Sequence, residues 1–199
     1  MEIINIFPTC LGLSKLDREL TCNEFDFIKS LDKKKNKENS LSVNSYVLES
    51  DELKDIKEWI SHILTNYFNK IYKPKLSTEI YITQSWVNYS KKGESHHKHS
   101  HSNSFLSAVF YIKSEENSGR IVFHKKECRE LTIDTDDYNG YNANSYYMPV
   151  NDLELLIFPS NLIHSVETVE TENERISLAL NTFVKGDLGD INNLSKLLL

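Results

Sequence analysis

Cysteine is scarce in this sequence, and long apolar runs are missing. The three cysteines, Cys10, Cys22 and Cys128, lie far apart, and none belongs to a C-x-x-C motif. This spacing excludes a disulfide framework and a zinc knuckle, and it suits a reducing, intracellular compartment. No apolar run approaches the ~20 residues that span a bilayer, and the apolar N-terminus lacks the basic region of a signal peptide. We therefore expect a cytoplasmic protein with no membrane partner.

An excess of basic residues is also missing. Lysine and arginine number 23 against 29 acidic residues, which gives a formal net charge of -6. A protein that binds duplex nucleic acid usually carries a basic face. The only dense basic run, from Lys33 to Lys35, is diluted by asparagine and glutamate, and this favours a solvated loop. We expect no nucleic-acid partner.

Length and composition predict one globular domain over residues 1–199. Hydrophobic residues make up 39% of the chain, and there is no internal repeat or low-complexity linker. Residues 1–75 have helical spacing and are expected to support a sheet. Thr21-Cys-Asn-Glu24 has the capping-box form that begins a helix, while Ser50 is placed to cap a second helix that Pro74 ends.

From Thr78 onward the hydrophobic period is two, which indicates β-strands. In the first strand, Trp86 and Asn88 share one face while Val87 and Tyr89 share the other. Turn residues separate the further candidates, which are Phe105 to Ile112, Arg120 to Phe123, Glu130 to Ile133, Tyr146 to Val150, Leu153 to Phe158, Ile163 to Thr168 and Arg175 to Val184. Helices followed by many short strands predict a mainly β, α+β fold, an antiparallel sandwich or barrel flanked by helices.

Four histidines crowd into the segment from His96 to His101. On an extended strand, residues i and i+2 point the same way, so His97 with His99, or His99 with His101, could reach one metal ion. His96 has no such partner because Lys98 occupies the matching position. A solvated, histidine-rich loop is the alternative explanation.

Two residues in the C-terminal third favour a metal site over a loop. His164 begins one strand candidate, and Arg175 leads another in which Ser177 shares its face. A charged residue in such an apolar strand is costly to bury without an anion as partner. Either an internal salt bridge or a bound carboxylate, gripped bidentately, would satisfy Arg175. Three protein ligands on one face of an iron ion leave positions open for a chelating 2-oxo acid and for oxygen.

On these residues the chain resembles the 2-oxoglutarate/iron(II) oxygenase superfamily, in particular its prolyl-hydroxylase-like branch and a group of small bacterial and phage proteins. The segments that carry the resemblance are Ile6-Phe-Pro-Thr9, Trp86-Val-Asn-Tyr89, Gly93, His99-Ser-His101-Ser-Asn-Ser104, Leu106-Ser-Ala-Val-Phe-Tyr111, Gly119, Phe123, His164 and Glu174-Arg-Ile-Ser-Leu-Ala-Leu-Asn181. The resemblance implies a double-stranded β-helix of jelly-roll or cupin-like form over residues 76–199. It also implies iron(II) and 2-oxoglutarate as cofactors, in the cytoplasm of a bacterium or of a phage-infected cell.

The resemblance assigns the metal ligands to His99, His101 and His164. The usual second ligand of the superfamily is an aspartate or glutamate, and His101 stands in its place. Three neutral imidazoles leave one more positive charge at the metal, which should tighten binding of a dianionic co-substrate. They also make zinc, copper or nickel better competitors of iron.

The resemblance assigns the co-substrate to four further residues. Arg175 matches the arginine that binds the distal carboxylate of 2-oxoglutarate, with Ser177 beside it. Tyr89, ten residues before His99, and Tyr111 match two tyrosines that touch the co-substrate. The implied activity is that of a hydroxylase, a dioxygenase that decarboxylates 2-oxoglutarate to succinate and hydroxylates an unactivated C–H bond.

Two other functions compete with this one. A cupin-like metal-binding β-barrel that is not an oxygenase would keep the three histidines but would have no use for Arg175 in its cavity. A nucleic-acid demethylase on the same fold is disfavoured by the acidic balance. The substrate is expected to be a small molecule or a peptide, and a homodimer is one option for the oligomeric state. The polar loop between Lys125 and Tyr147 is either a lid over the site or an ordinary surface excursion.

Overall fold

The structure is a computed structural model that describes residues 1–75, 77–116, 118–126, 131, 133–149 and 151–199. Among these residues, no helix is both long and apolar enough to cross a membrane. Cys10 and Cys22 are free thiols, while Cys128 lies outside the described ranges.

The first helix, α1 (Cys22–Ser30), begins at the predicted capping box. The Glu24 amide donates to the Thr21 hydroxyl at 3.2 Å, and the Thr21 amide donates to the Glu24 carboxylate at 2.7 Å. Arg18 pairs with the same carboxylate at 2.6 Å. This reciprocal capping satisfies amides that the first turn leaves free, so the local sequence determines where α1 begins.

The second helix, α2 (Lys54–Tyr72), follows two short 3₁₀ turns within residues 47–53. The capping role expected of Ser50 is wrong, because its side chain makes no capping hydrogen bond and it precedes a 3₁₀ turn. The helix ends where expected, since Lys73 adopts the left-handed conformation at φ 45° directly before Pro74. The buried stripe of α2 consists of Ile56, Ile60, Leu64 and Phe68.

The C-terminal part is built of strands, as the period of two predicts. In chain order the strands of the described residues are β1 (Gly12–Lys15), β2 (Lys33–Lys35), β3 (Ser40–Ser42), β4 (Thr78–Ser90), β5 (His96–His99), β6 (Leu106–Lys113), β7 (Ile121–His124), β8 (Ser145–Met148), β9 (Glu154–Pro159), β10 (His164–Val166), β11 (Arg175–Leu188) and β12 (Leu197–Leu198). Every expected strand after residue 76 is present with shifted ends, except the one over Glu130 to Ile133, which includes residues outside the described ranges.

These strands form two antiparallel sheets. The larger sheet has the order β1-β9-β6-β11-β4-β3-β2, with β12 paired to β11, and the smaller sheet has the order β5-β10-β7-β8. Side chains from β4, β6 and β11 on one side, and from β5, β7 and β10 on the other, line one cavity. Two antiparallel sheets facing each other around a cavity form a double-stranded β-helix, so the expected fold class is confirmed.

The N-terminal residues are less helical than expected, because they add β1, β2 and β3 to the larger sheet. The basic run Lys33–Lys35 forms β2 rather than a loop, although its side chains are exposed to solvent as predicted. It lies at the end of the sheet, where exposed lysines discourage pairing with another chain.

The main core lies between the helices and the larger sheet. Trp59 of α2 packs on Phe110 of β6 with 5.5 Å between ring centroids. Val87 and Tyr89 of β4 belong to the same buried cluster as Ile60 of α2. The helices thus cover one face of the sheet, and the other face is left to line the cavity.

Candidate metal centre and co-substrate cavity

The pairing of β5 with β10 brings the predicted histidines together. His99 and His164 are directly opposed in the antiparallel ladder. His101 lies just beyond the end of β5, where its amide donates to the Ser160 carbonyl at 2.9 Å. One ring nitrogen from each of the three histidines lies within 4.8 Å of the other two, and Nε2 of His101 is 3.3 Å from Nε2 of His164.

Backbone carbonyls determine how two of these rings are oriented. Nδ1 of His99 lies 2.8 Å from the His97 carbonyl, and Nδ1 of His164 lies 2.9 Å from the Leu162 carbonyl. Because a carbonyl oxygen only accepts, each Nδ1 carries the hydrogen, and each Nε2 keeps a free lone pair. Metal-binding histidines are oriented in this way.

Burial keeps the three imidazoles neutral. It lowers the pKa of His164 to about 3 and the pKa of His101 to about 4, and it also lowers the pKa of His99. Neutral rings offer lone pairs rather than charges, which is the form that a metal ion requires.

The alternative ligand His97 does not line the cavity, whereas His101 does. Trp86 of β4 packs beside His101, with 5.9 Å between the ring centroids. His99 and His101, two residues apart, therefore both face the cavity, as the resemblance implies.

His96 also lines the cavity, which the sequence pattern did not predict. The register between β5 and β10 shifts: His99 is opposite His164, but His96 is opposite Val166. Three steps along β5 thus correspond to two steps along β10, which marks a β-bulge. The extra residue reverses the alternation, so that His96 and His99 share a face, and their rings stack with centroids 4.7 Å apart.

Arg175 points into the same cavity. It is 3% exposed, and its only hydrogen bond within the described residues runs from Nη1 to the Ser177 hydroxyl at 3.2 Å. Its guanidinium carbon lies 5.2 Å from the centre of the Tyr111 ring. Arg175 has no salt bridge with any acidic residue that the structure describes. Burial lowers its pKa, which expresses the cost of holding this charge without an anion.

Three buried polar atoms around Arg175 have no hydrogen-bond partner among the described residues: Arg175 Nε, Tyr111 OH and Asn88 Oδ1. Their placement follows from the sheet register, because Ser177 of β11 is opposite Asn88 of β4 on one side and Tyr111 of β6 on the other. Burial raises the pKa of Tyr111 to about 12, so that the phenol remains a hydrogen-bond donor. Buried polar atoms without partners are rare in proteins, and a cluster of them indicates a missing polar ligand.

The role expected of Tyr89 is wrong. Tyr89 does not line the cavity, and its hydroxyl donates instead to the carbonyl of Ile28 at the end of α1. Lys33 covers its ring at 3.8 Å from the centroid. The alternation of β4 predicted this placement, since Tyr89 shares the face of Val87 and only Trp86 and Asn88 face inward. Asn88, like His96, lines the cavity although the sequence did not single it out.

The cavity has polar ends and apolar walls. Its free volume is about 40 Å³. Val109, Phe158 and Ala179 are among the apolar residues that line it. A small cavity of this kind suits a small polar ligand.

The lid expected between Lys125 and Tyr147 stays a prediction. Residues 127–130 and 132 lie outside the described ranges, and the end of the segment forms β8. Within the loop, Asn139 accepts hydrogen bonds from the amides of Tyr141 and Asn142 and so forms a local turn.

A comparison with known protein families supports the resemblance. Residues 84–181 match the family described as "Putative 2OG-Fe(II) oxygenase". A comparison with curated proteins gave no match.

Solved structures share the fold over most of the chain. SnoN, a non-heme alpha ketoglutarate dependent epimerase from nogalamycin biosynthesis, has a TM-score of 0.64 at 11% identity, over 89% of this chain and 80% of its own. HygX from Streptomyces hygroscopicus, solved with nickel and 2-oxoglutarate, has a TM-score of 0.59 at 11% identity, over 87% and 82%. A prolyl-4-hydroxylase from Pseudomonas putida has a TM-score of 0.54 at 10% identity, over 87% and 92%. At these identities the likeness concerns the fold.

The family match spans the part of the chain that builds the cavity. It includes the three clustered histidines, Tyr111, Arg175 and Ser177. The sheet order and the solved structures agree with it. The segment 84–181, which builds the cavity, therefore belongs to the 2-oxoglutarate/iron(II) oxygenase superfamily, whose cofactors are iron(II) and 2-oxoglutarate.

Proposed function

We propose that the chain hydroxylates an unactivated C–H bond of a small molecule or peptide and decarboxylates 2-oxoglutarate to succinate in the same cycle. One observation carries the proposal. Three neutral imidazoles lie in the same cavity as a buried arginine that has no carboxylate partner among the described residues.

His99, His101 and His164 would hold the iron ion. The donor set fits, because imidazole nitrogen is an established ligand of iron and the free Nε2 lone pairs of two rings are fixed by backbone hydrogen bonds. None of the three is anionic, so the full charge of the ion remains to attract a dianionic co-substrate. The same neutrality supports competition by zinc and nickel.

Arg175, Tyr111 and Asn88 would hold the distal carboxylate of 2-oxoglutarate. Each has a buried polar atom without a partner among the described residues, and each such atom costs about 1–3 kcal/mol. A carboxylate offers two acceptor oxygens to the guanidinium and the phenol. The amide of Asn88 can donate as well, because oxygen and nitrogen of an amide are assigned from their partners rather than observed.

When bound, iron(II) and 2-oxoglutarate supply the oxidising chemistry: one atom of O₂ enters succinate as CO₂ leaves, and the other enters the substrate. The chain's own residues orient the co-substrate between the histidines and Arg175. The apolar walls formed by Val109, Phe158 and Ala179 keep water away from this reaction path.

The test of the oxygenase proposal is binding and turnover of 2-oxoglutarate by the purified protein with added Fe(II). We expect calorimetric binding of 2-oxoglutarate under anaerobic conditions, and formation of succinate once oxygen is admitted. His164→Ala should abolish both, whereas His62→Ala, which changes an exposed histidine of α2, should change neither. A protein that binds the metal but neither binds nor consumes 2-oxoglutarate would be the cupin-like metal-binding protein instead.

Hydroxylation itself needs a separate test, because SnoN shows that an epimerase shares this fold. Candidate small molecules and peptides are incubated with the iron-loaded protein and 2-oxoglutarate under labelled oxygen gas. One labelled oxygen atom in the product identifies hydroxylation. A product with unchanged composition, or with two hydrogens fewer, would contradict it.

A further inference from the structure

His96 is the one histidine of the cavity that the proposed metal centre does not use. It lines the cavity with the three proposed ligands and with Arg175. Among the described residues, neither of its ring nitrogens has a hydrogen-bond partner, although the residue is only partly exposed. An imidazole carries at least one N–H whether it is neutral or protonated, so this ring has a donor available to a ligand.

The strand register places His96 on the Arg175 side of the metal centre. At one end, a chain of backbone hydrogen bonds links His101 to the middle of β11. The amide of His101 donates to the Ser160 carbonyl, the amide of Ser160 donates to the Phe105 carbonyl, and the amide of Phe105 donates to the Thr182 carbonyl. At the other end, Ser90, which ends β4 shortly before β5 begins, is opposite Arg175 in the pairing of β4 with β11. β5 therefore runs from the level of Arg175 toward the metal centre.

The His96 ring stacks on His99, and Arg175 lines the same cavity. A ligand that extends from the proposed metal to Arg175 would consequently pass His96. No other donor on β5 faces this part of the cavity within the described residues.

We infer that His96 is a co-substrate-binding residue that donates a hydrogen bond to the distal carboxylate of 2-oxoglutarate and thereby selects a dicarboxylic 2-oxo acid. The inference rests on the proposed function, since it needs a co-substrate that joins the metal to Arg175. Nη1 of Arg175 is already engaged with Ser177, which leaves acceptor positions on the carboxylate for donors from other strands. His96 supplies such a donor from the smaller sheet, opposite the donors of the larger sheet.

The experiment compares two 2-oxo acids that differ only at the distal end. Nickel-loaded protein is titrated by calorimetry with 2-oxoglutarate and with 2-oxobutyrate, which has the same chelating end and no distal carboxylate. His96→Phe keeps a ring that can stack on His99 but removes the donor, and His96→Gln restores a donor. His124→Phe is the matched control, because His124 of β7 bonds Ser165 and does not line this cavity.

We expect His96→Phe to weaken 2-oxoglutarate binding about tenfold, the effect of one hydrogen bond to a charged group, with 2-oxobutyrate binding unchanged. His96→Gln should recover most of the affinity, and His124→Phe should lose none. Equal weakening of both acids would place His96 at the metal end, and unchanged binding of both would leave it as a stacking partner only. Either result overturns the inference.

Two further controls separate this inference from the proposed function. Metal affinity is measured for each variant, and a loss in His96→Phe as large as that in His99→Ala would make His96 a metal ligand and refute the inference. If the wild-type protein itself fails to bind 2-oxoglutarate, the proposed function fails first. If wild type binds and Arg175→Met weakens binding while His96→Phe does not, the proposed function stands and the role of His96 falls.

Discussion

Arg175→Met should nearly abolish 2-oxoglutarate binding while hardly changing the stability of the ligand-free protein. Arg175 is 3% exposed, and truncation of a buried side chain usually costs about 2–5 kcal/mol of unfolding free energy. Methionine retains most of the length of the arginine side chain, so that no large cavity opens. What it removes is a charge that no described carboxylate neutralises.

The stability change is a small balance of opposed contributions. Loss of the hydrogen bond to Ser177 costs about 0.5–1.5 kcal/mol. Loss of the contact with the Tyr111 ring, at 5.2 Å, costs about 0.5–1 kcal/mol. Removal of the unpartnered Nε raises the unfolding free energy by about 1–3 kcal/mol. The midpoints of these contributions nearly cancel, and the net change is expected to stay within about 2 kcal/mol in either direction.

Binding should respond far more strongly, because hydrogen bonds to a charged group are worth about 1.5–3 kcal/mol, and about 1.4 kcal/mol is a factor of ten. Urea unfolding measures the stability, and anaerobic calorimetry measures binding of 2-oxoglutarate and of the metal. Lys185→Met is the matched control, since Lys185 lies on the same strand but pairs with Glu79 at the surface. A loss of several kcal/mol in stability together with unchanged 2-oxoglutarate affinity would refute the argument and make Arg175 a structural residue.

Four other substitutions, at three residues, test neighbouring parts of the site. His101→Ala should lose iron affinity, and unchanged affinity in anaerobic calorimetry would contradict a three-histidine centre. His101→Asp should keep the fold and should preserve or raise 2-oxoglutarate turnover. It should also reduce competition by Zn²⁺ and Ni²⁺ for the iron site. Tyr89→Phe should leave 2-oxoglutarate affinity unchanged and lower the unfolding free energy by about 1 kcal/mol, because the Ile28 carbonyl loses its donor; an affinity loss would return Tyr89 to the co-substrate site. Ser160→Ala removes a buried hydroxyl that bonds Ser104 and Ser107, so it should cost about 1–3 kcal/mol in urea unfolding; a change under a few tenths would mean that this network does not stabilise the fold.

Periodicity and local capping predicted most of the fold from the sequence. The period of two from Thr78 onward located the strands that line the cavity, and the capping box located α1. Both signals depend on neighbouring residues alone. β1 and β2 were missed because each is a short strand at the edge of the sheet, where pairing depends on a distant strand rather than on its own pattern.

Tyr89 shows what happens when two signals disagree. The resemblance assigned it to the co-substrate, whereas strand alternation placed it on the face of Val87, toward the helices. The structure follows the alternation, because a one-residue shift would turn Trp86 and Asn88 out of the cavity and bury them against α1 and α2 instead. The distance of Tyr89 from His99 along the sequence indicates how far along β4 it lies. Whether Tyr89 is an odd or an even number of residues from Trp86 decides which face of the strand its side chain takes.

His96 shows the opposite limit, where alternation itself misleads. In a regular strand, alternation from His99 would place His97 inside the cavity and His96 outside it. The extra residue opposite His164 and Val166 reverses the alternation, and it does so between two histidines, where no glycine or proline marks a bulge in the sequence. The consequence is chemical as well as geometric. A regular strand would present His97, on the face that holds His99, whereas the bulge presents His96, one residue farther from the metal and closer to the level of Arg175. The same irregularity that hides His96 from the sequence pattern thus brings a hydrogen-bond donor to the stretch of cavity between the two ends of the proposed co-substrate.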